Sequence, residues 1–151
     1  MRSIAVPVAA ALMLVACSIG GAESPSPAAS SPRLAGPSGQ LGAQVAMPPG
    51  FPTDVPIYPK ARLTAAAAFP NNAPTAWGME WQTLDSVSKV QAYYADQMNK
   101  TDWTINLTSN TPERFTAKFM RRSDNRVGGT LESNSASGVT KILMSLVSPS
   151  A

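Results

Sequence analysis

Trp77, Met79 and Trp81 stand at every second position, with Gly78, Glu80 and Gln82 between them. A period of two places the large apolar side chains on one face of a β-strand and the small or polar ones on the other. Such a strand needs one face covered and one face wet, the pattern of an antiparallel sheet packed on a single side. The alternation recurs at Trp103, Ile105 and Leu107, and again at Phe115, Ala117 and Phe119 after a turn at Asn110-Thr111-Pro112. Val127 to Glu132 follows a turn at Ser123-Asp124-Asn125, and Thr140 to Val147 follows one at Ser135 to Gly138. Ala61 to Phe69 reads as a weaker strand, because alanine favours helix, but Pro59 and Pro70 bound it.

One stretch breaks the period. Asp85 to Lys100 puts Val87, Val90, Tyr94 and Met98 at helical spacing, with Asp85 or Ser86 placed to cap the first turn and Lys100 at the negative end of the dipole. Asp96 and Lys100 form an acid-before-base pair four residues apart. The fold class expected is α+β: a two-layer sandwich with one amphipathic helix on a mainly antiparallel sheet of about five to six strands, in chain order ββαββββ. The helix is expected to cover Trp77, Met79, Trp81, Trp103, Ile105, Leu107, Phe115 and Phe119. Glu80, Gln82, Thr104, Asn106, Arg114, Lys118 and Glu132 would face water.

The N-terminus carries a different message. Met1-Arg2-Ser3 supplies one positive charge before the apolar run Ile4 to Ala16, which ends at Cys17. This is the layout of an export signal, and the run falls short of the ~18 residues a membrane-crossing helix requires. Leu14-Val15-Ala16-Cys17 resembles the lipobox of bacterial lipoproteins at all four positions. The resemblance implies removal of residues 1–16, a diacylglyceryl group on the Cys17 sulfur, and a lipid-anchored protein at the cell envelope. The anchor would sit in the outer leaflet of the plasma membrane, or in the outer membrane if the organism has one. Cys17 is the single cysteine of the chain, so no disulfide or thiol-based site is possible elsewhere.

From Ser18 to Gly50, 24 of 33 residues are Ala, Gly, Pro or Ser. A segment with so little large apolar surface is expected to be a disordered tether. The domain boundaries expected are 1–16 for the signal peptide, 17–50 for the lipidated Cys17 and its tether, and 51–148 for one folded domain. At its start, Phe51, Val55, Ile57 and Tyr58 lie among prolines. Each residue before a proline is pushed to extended backbone, so this arm should pin its aromatics against the domain. Pro52 to Ala61, Thr83 to Val87, the Val90-x-x-Tyr-Tyr core and Trp103 resemble a recurrent type of uncharacterised bacterial lipoprotein domain over about residues 51–147. That resemblance implies no activity and no site residues.

With no histidine in 151 residues, the chain lacks the usual general base and imidazole metal ligand. Nine acids are present, and their spacing pairs none of them as a catalytic dyad. Gly128-Gly129 lies in a strand and reads as a bulge or close-packing point rather than a phosphate loop. No catalytic, cofactor or metal residues are expected, and no enzyme. Arg114, Lys118, Arg121, Arg122 and Arg126 form the one basic cluster, a candidate contact for anionic envelope surfaces. The expected function is a non-catalytic binding module of the envelope, with a protein or polymer partner and no nucleic acid. The alternative is a carrier holding an apolar ligand between helix and sheet.

Overall fold

The computed structural model describes residues 39–70 and 74–149, all within one compact unit of the chain. The expected signal peptide, Cys17 and the expected tether up to residue 38 lie outside the described residues.

The alternating segments form six strands: β1 (Arg62–Phe69), β2 (Thr75–Thr83), β3 (Trp103–Thr111), β4 (Arg114–Arg121), β5 (Gly128–Ala136) and β6 (Val139–Ser148). The helix α1 (Val87–Lys100) connects β2 to β3, giving the expected order ββαββββ. Within the sheet the order is β1-β2-β6-β5-β4-β3, and every neighbouring pair is antiparallel. Consecutive strands from β3 to β6 can therefore be joined by hairpins. The β5–β6 hairpin turns at Ser137-Gly138, where both residues have positive φ, the geometry that matches a hairpin turn to strand twist.

β2 and β6 pair without a register shift, which sets Trp77 opposite Leu146, Met79 opposite Met144 and Trp81 opposite Ile142. All six are buried on the inner face. The same face collects Phe115, Ala117 and Phe119 of β4 and Leu131 of β5. Gly128 and Gly129 are close-packing points, as expected. A Cβ on Gly129 would overlap the Ser145 carbonyl oxygen, and one on Gly128 would come within 2.5 Å of the Phe119 carbonyl oxygen.

Two different covers share the inner face. α1 buries Val87, Val90, Tyr94 and Met98 against β3, β4 and β5. It does not take the Trp77 to Trp81 half, contrary to expectation, because one helix is about 10 Å across while strands lie about 4.8 Å apart. A single helix spans two or three strands of six. The proline arm supplies the rest: Phe51 meets Trp77 edge-on at 5.6 Å and Trp81 at 6.4 Å between ring centres, and Val55 and Tyr58 are buried beside it. Leu107, expected in the core, is 40% exposed. β3 is covered only at its start, with Trp103 buried and the strand exposed from Asn106 onward.

Neither expected N-cap acts through its side chain. Ser86 holds the N-cap position without a side-chain cap bond, and the Asp85 carboxylate is taken by Tyr58 and Lys89. The Asp96–Lys100 pair forms as expected, at 2.6 Å. The last part of the expected tether also makes contacts. Gly39 N–H donates to the Ser137 carbonyl at 3.0 Å, Gly42 N–H to Gln82 Oε1 at 2.8 Å and Val45 N–H to the Leu63 carbonyl at 2.9 Å. Residues 39–45 thus cross one end of the sheet from the β5–β6 turn past β2 to β1, held by their backbone while most of their side chains stay exposed.

Candidate ligand-binding site

The five basic residues of the expected cluster do not converge. Arg114 and Lys118 sit on the outer face of β4, where Arg114 pairs with Glu132 at 3.1 Å. Arg121 lies opposite Trp103, with its guanidinium 4.9 Å from that ring's centre and 2.6 Å from Asp54 Oδ2. Arg122 donates to the carbonyls of Asn99 and Thr101 at the end of α1, where positive charge complements the helix dipole. Arg126 grips both oxygens of Asp124 at 2.9 Å, which brings the Asp124 pKa down to about 2. Four of the five are thus committed to contacts within the domain.

One of these contacts, Arg121 to Asp54, fixes the arm. Asp54 receives Arg121 on its carboxylate and the Trp103 indole N–H on its carbonyl, the latter at 3.1 Å. Further along, Tyr93 O–H donates to the Ile57 carbonyl at 2.7 Å and Tyr58 O–H to Asp85 Oδ2 at 2.9 Å. Burial and the neighbouring Asp85 push the Tyr58 hydroxyl up to about 12. The same hydrogen bond, with help from Lys89, holds the Asp85 carboxyl below its usual range.

Between helix and sheet the interface is filled. Val90, Tyr94, Met98, Trp103, Phe115 and Leu131 are all fully buried there. A cavity of about 730 Å³ lies elsewhere, where β1, β2 and β6 meet the arm. Pro49, Gly50 and Pro52 of the arm form one wall, Thr75 and Trp77 belong to β2, and Arg121, Asp124 and Val127 come from β4 and the loop after it. Its size is that of an ordinary small-molecule site. Two side chains that line it carry buried N–H groups without a hydrogen-bond partner, Trp77 Nε1 and Arg121 Nε. A buried donor left unmade costs about 1–3 kcal/mol, and folded proteins keep few of them. Among the described residues, no three His, Cys, Asp or Glu side chains are grouped to hold a metal ion. No described helix is long and apolar enough to cross a membrane.

The outer face at this end of the sheet carries a second feature. Phe69, Ala76, Val147, Gly128 and Met120 are partners across successive strands, so they form one apolar row over β1, β2, β6, β5 and β4. Phe69, Val147 and Met120 are 59%, 37% and 48% exposed. In the carrier alternative Trp77 lines a ligand space between helix and sheet, whereas here it lines a cavity under the arm; Asp54 and Phe69 have no role legible in the sequence, because cavity and row depend on which strand ends become neighbours.

A family model described as START domain-like matches residues 63–146. The chain belongs to the START domain-like family. The matched region runs from β1 to β6 and includes Trp77, Arg121 and Val127, whereas the arm precedes it. The cavity therefore combines a floor from the START domain-like region with a wall from the chain that leads into it. No curated protein and no solved structure matches the chain.

Proposed function

We propose that this protein is a non-catalytic lipoprotein of the cell envelope, anchored through Cys17, whose START domain-like domain binds an apolar small molecule in the cavity under the proline arm. The observation that carries the reading is the cavity of about 730 Å³ between the arm's Pro49, Gly50 and Pro52 and Trp77 of β2. Membership of the family is compatible with ligand binding. The ligand position differs from the one expected from sequence, since the space between helix and sheet is occupied by Tyr94, Met98 and Phe115. The anchor rests on the lipobox resemblance at Leu14 to Cys17.

The test is solvent extraction of the mature chain purified from cells, with mass spectrometry of what is released, and titration of the emptied chain with an apolar fluorophore. One bound molecule per chain, or saturable fluorophore binding lost in Trp77→Ala, is expected. Absence of both overturns the reading. Labelled fatty acid should enter the wild type and not Cys17→Ala, and equal labelling would remove the anchor.

The exposed row from Phe69 to Met120 favours a second reading, in which the outer face docks an envelope protein or polymer. Crosslinking in cells should then yield an adduct that Phe69→Ser with Val147→Ser abolishes. An adduct indifferent to those substitutions would place the contact elsewhere.

A further inference from the structure

The open sheet has two edges, β1 and β3, and they are finished differently. On β1 the Leu63 carbonyl is taken by Val45 N–H, and the Arg62 guanidinium donates to the Gly42 carbonyl at 3.2 Å. Residues 42–45 thus already engage the start of that edge. On β3, among the described residues, no backbone group from Trp103 to Leu107 bonds outside the ladder with β4. An unpaired edge is a template for another strand, and proteins usually guard it with charge, proline or a bulge. β3 contains no charged residue and no proline, whereas each of the other five strands carries at least one charge. Its guard is the bulge between Leu107 and Ser109, which leaves Trp103 to Leu107 as a regular, open stretch.

We propose that this edge pairs with the same edge of a second copy, antiparallel about a two-fold axis at Ile105, so that two six-stranded sheets become one. Ile105 is the centre of the regular stretch. In that register Ile105 meets its twin, Thr104 lies opposite Asn106, and Trp103 lies opposite Leu107. The axis stands perpendicular to the sheet, so both inner faces stay on one side. Two features single out a second copy as the occupant. A strand paired with itself sets its own residues against one another, and like charges directly opposite are destabilising; β3 alone of the six strands brings none. The exposed residue is matched as well. Leu107 is 40% exposed because β3 is covered only at its start, and antiparallel pairing brings it beside Trp103 of the second copy, which lies at that covered start. Both copies use β3 for the contact while residues 42–45 engage each β1, so the assembly closes at two. A contact of this size belongs to the weak, transient class.

Sedimentation equilibrium of residues 17–151 carrying Cys17→Ser should show monomer and dimer in exchange, with a dissociation constant between about 10 μM and 1 mM. Two pairs of substitutions read the register. Thr104→Glu with Asn106→Glu sets like charges opposite one another at two points and should weaken the dimer about tenfold. Thr104→Lys with Asn106→Glu sets opposite charges at the same points and should keep the dimer at least as strong as in the unaltered chain. Both positions are exposed, and Asn106 faces Lys118 within its own sheet, so only the sign at position 104 differs between the pairs. Ile105→Cys, then the single thiol of the chain, should give a disulfide-linked dimer on mild oxidation, and Thr104→Cys or Asn106→Cys far less, because only the residue on the axis meets its own copy. A monomer at every concentration with no Ile105→Cys crosslink would overturn the proposal. So would a dimer indifferent to the sign at position 104, or one that crosslinks best elsewhere. A chain beginning at Gly39 that dimerises when the longer chain does not would put residues 17–38 on the edge and overturn it as well. Should Ile105→Cys, at a half-buried position, fail to fold, the two charge pairs decide alone.

Discussion

Arg121 reaches across the domain to Asp54, 67 positions earlier in the chain, and closes a 2.6 Å ion pair while its guanidinium stacks 4.9 Å from the centre of the Trp103 ring. One side chain thus ties the arm to both a carboxylate and the sheet. Arg121→Ala should lower stability by about 1–2 kcal/mol, chiefly through the lost stacking and packing. Asp54→Asn should cost less, about 0.5 kcal/mol, because the carboxylate is half exposed and its pairing is screened. Urea unfolding of both single variants and the double variant checks this. Additive losses would mean that the pair is not coupled.

The Tyr58–Asp85 hydrogen bond sets a pH signature at both ends of the scale. Asp85 has a lowered pKa in the folded domain, so its contribution is present above the ordinary carboxylate range and is lost as pH falls through the lowered value. Tyr58 is raised from 10.0 to about 12. Its contribution is intact below pH 10 and fades as pH rises from 10 to 12. Tyr58→Phe should therefore flatten the alkaline slope and soften the acid one. Thermal midpoints recorded from pH 3 to pH 12 should show both changes, and an unaltered alkaline limb would count against the Tyr58 assignment.

Phe51 is 7% exposed and is the arm's main contact with Trp77 and Trp81. Phe51→Ala should cost about 3 kcal/mol by the usual scale for a buried aromatic and should shift tryptophan emission to longer wavelength as water reaches the indoles. Unchanged emission would show that another group covers the β2 tryptophans.

What the sequence reveals follows the range of the forces involved. Period-two patterning at Trp77 to Trp81 and Phe115 to Phe119, and helical spacing from Val87 to Met98, are local and legible, so the elements and their order are read correctly. The division of the inner face between α1 and the arm depends on how wide a helix is relative to a sheet, a constraint that no window of residues contains. The basic residues show the same limit. Arg114, Lys118, Arg121, Arg122 and Arg126 are close in the chain, yet strand alternation and two loops send them to the outer face, the arm, the helix end and a turn. Trp77, for its part, has the sequence signature of core whether or not a cavity opens beside it.

Gly129 tests the closeness of β5 and β6. A Cβ there would overlap the Ser145 carbonyl oxygen, and backbone on a central strand can give way only by breaking the ladder between Gly128 and Val147. Gly129→Ala should cost about 3 kcal/mol or more, at the upper end for overpacking. Gly78→Ala, on the outer face with nothing within 4 Å of the added carbon, should be tolerated and is the matched control. Equal stability of the two variants would show that the strands can part at little cost.

The start of the folded unit gives the last prediction. Composition sets the boundary at Phe51, but Gly39, Gly42 and Val45 each donate a backbone hydrogen bond to the domain. A chain beginning at Phe51 should therefore be less stable than one beginning at Gly39. Three bonds at about 0.5–1.5 kcal/mol each, discounted because most of the segment is exposed and its partners regain water, come to about 1–2 kcal/mol. For a domain of this size that is a drop of roughly 4–8 °C in thermal midpoint. A chain beginning at Arg62 loses the buried Phe51, Val55 and Tyr58 as well. At about 1.5–3 kcal/mol for each large buried side chain, that loss rivals the 5–15 kcal/mol a whole domain typically holds, and this chain should not fold. Calorimetry of the three chains orders them. Coincident midpoints for the first two would mean that residues 39–50 lie on the domain without stabilising it, and a folded third would mean that the sheet tolerates Trp77 and Trp81 uncovered.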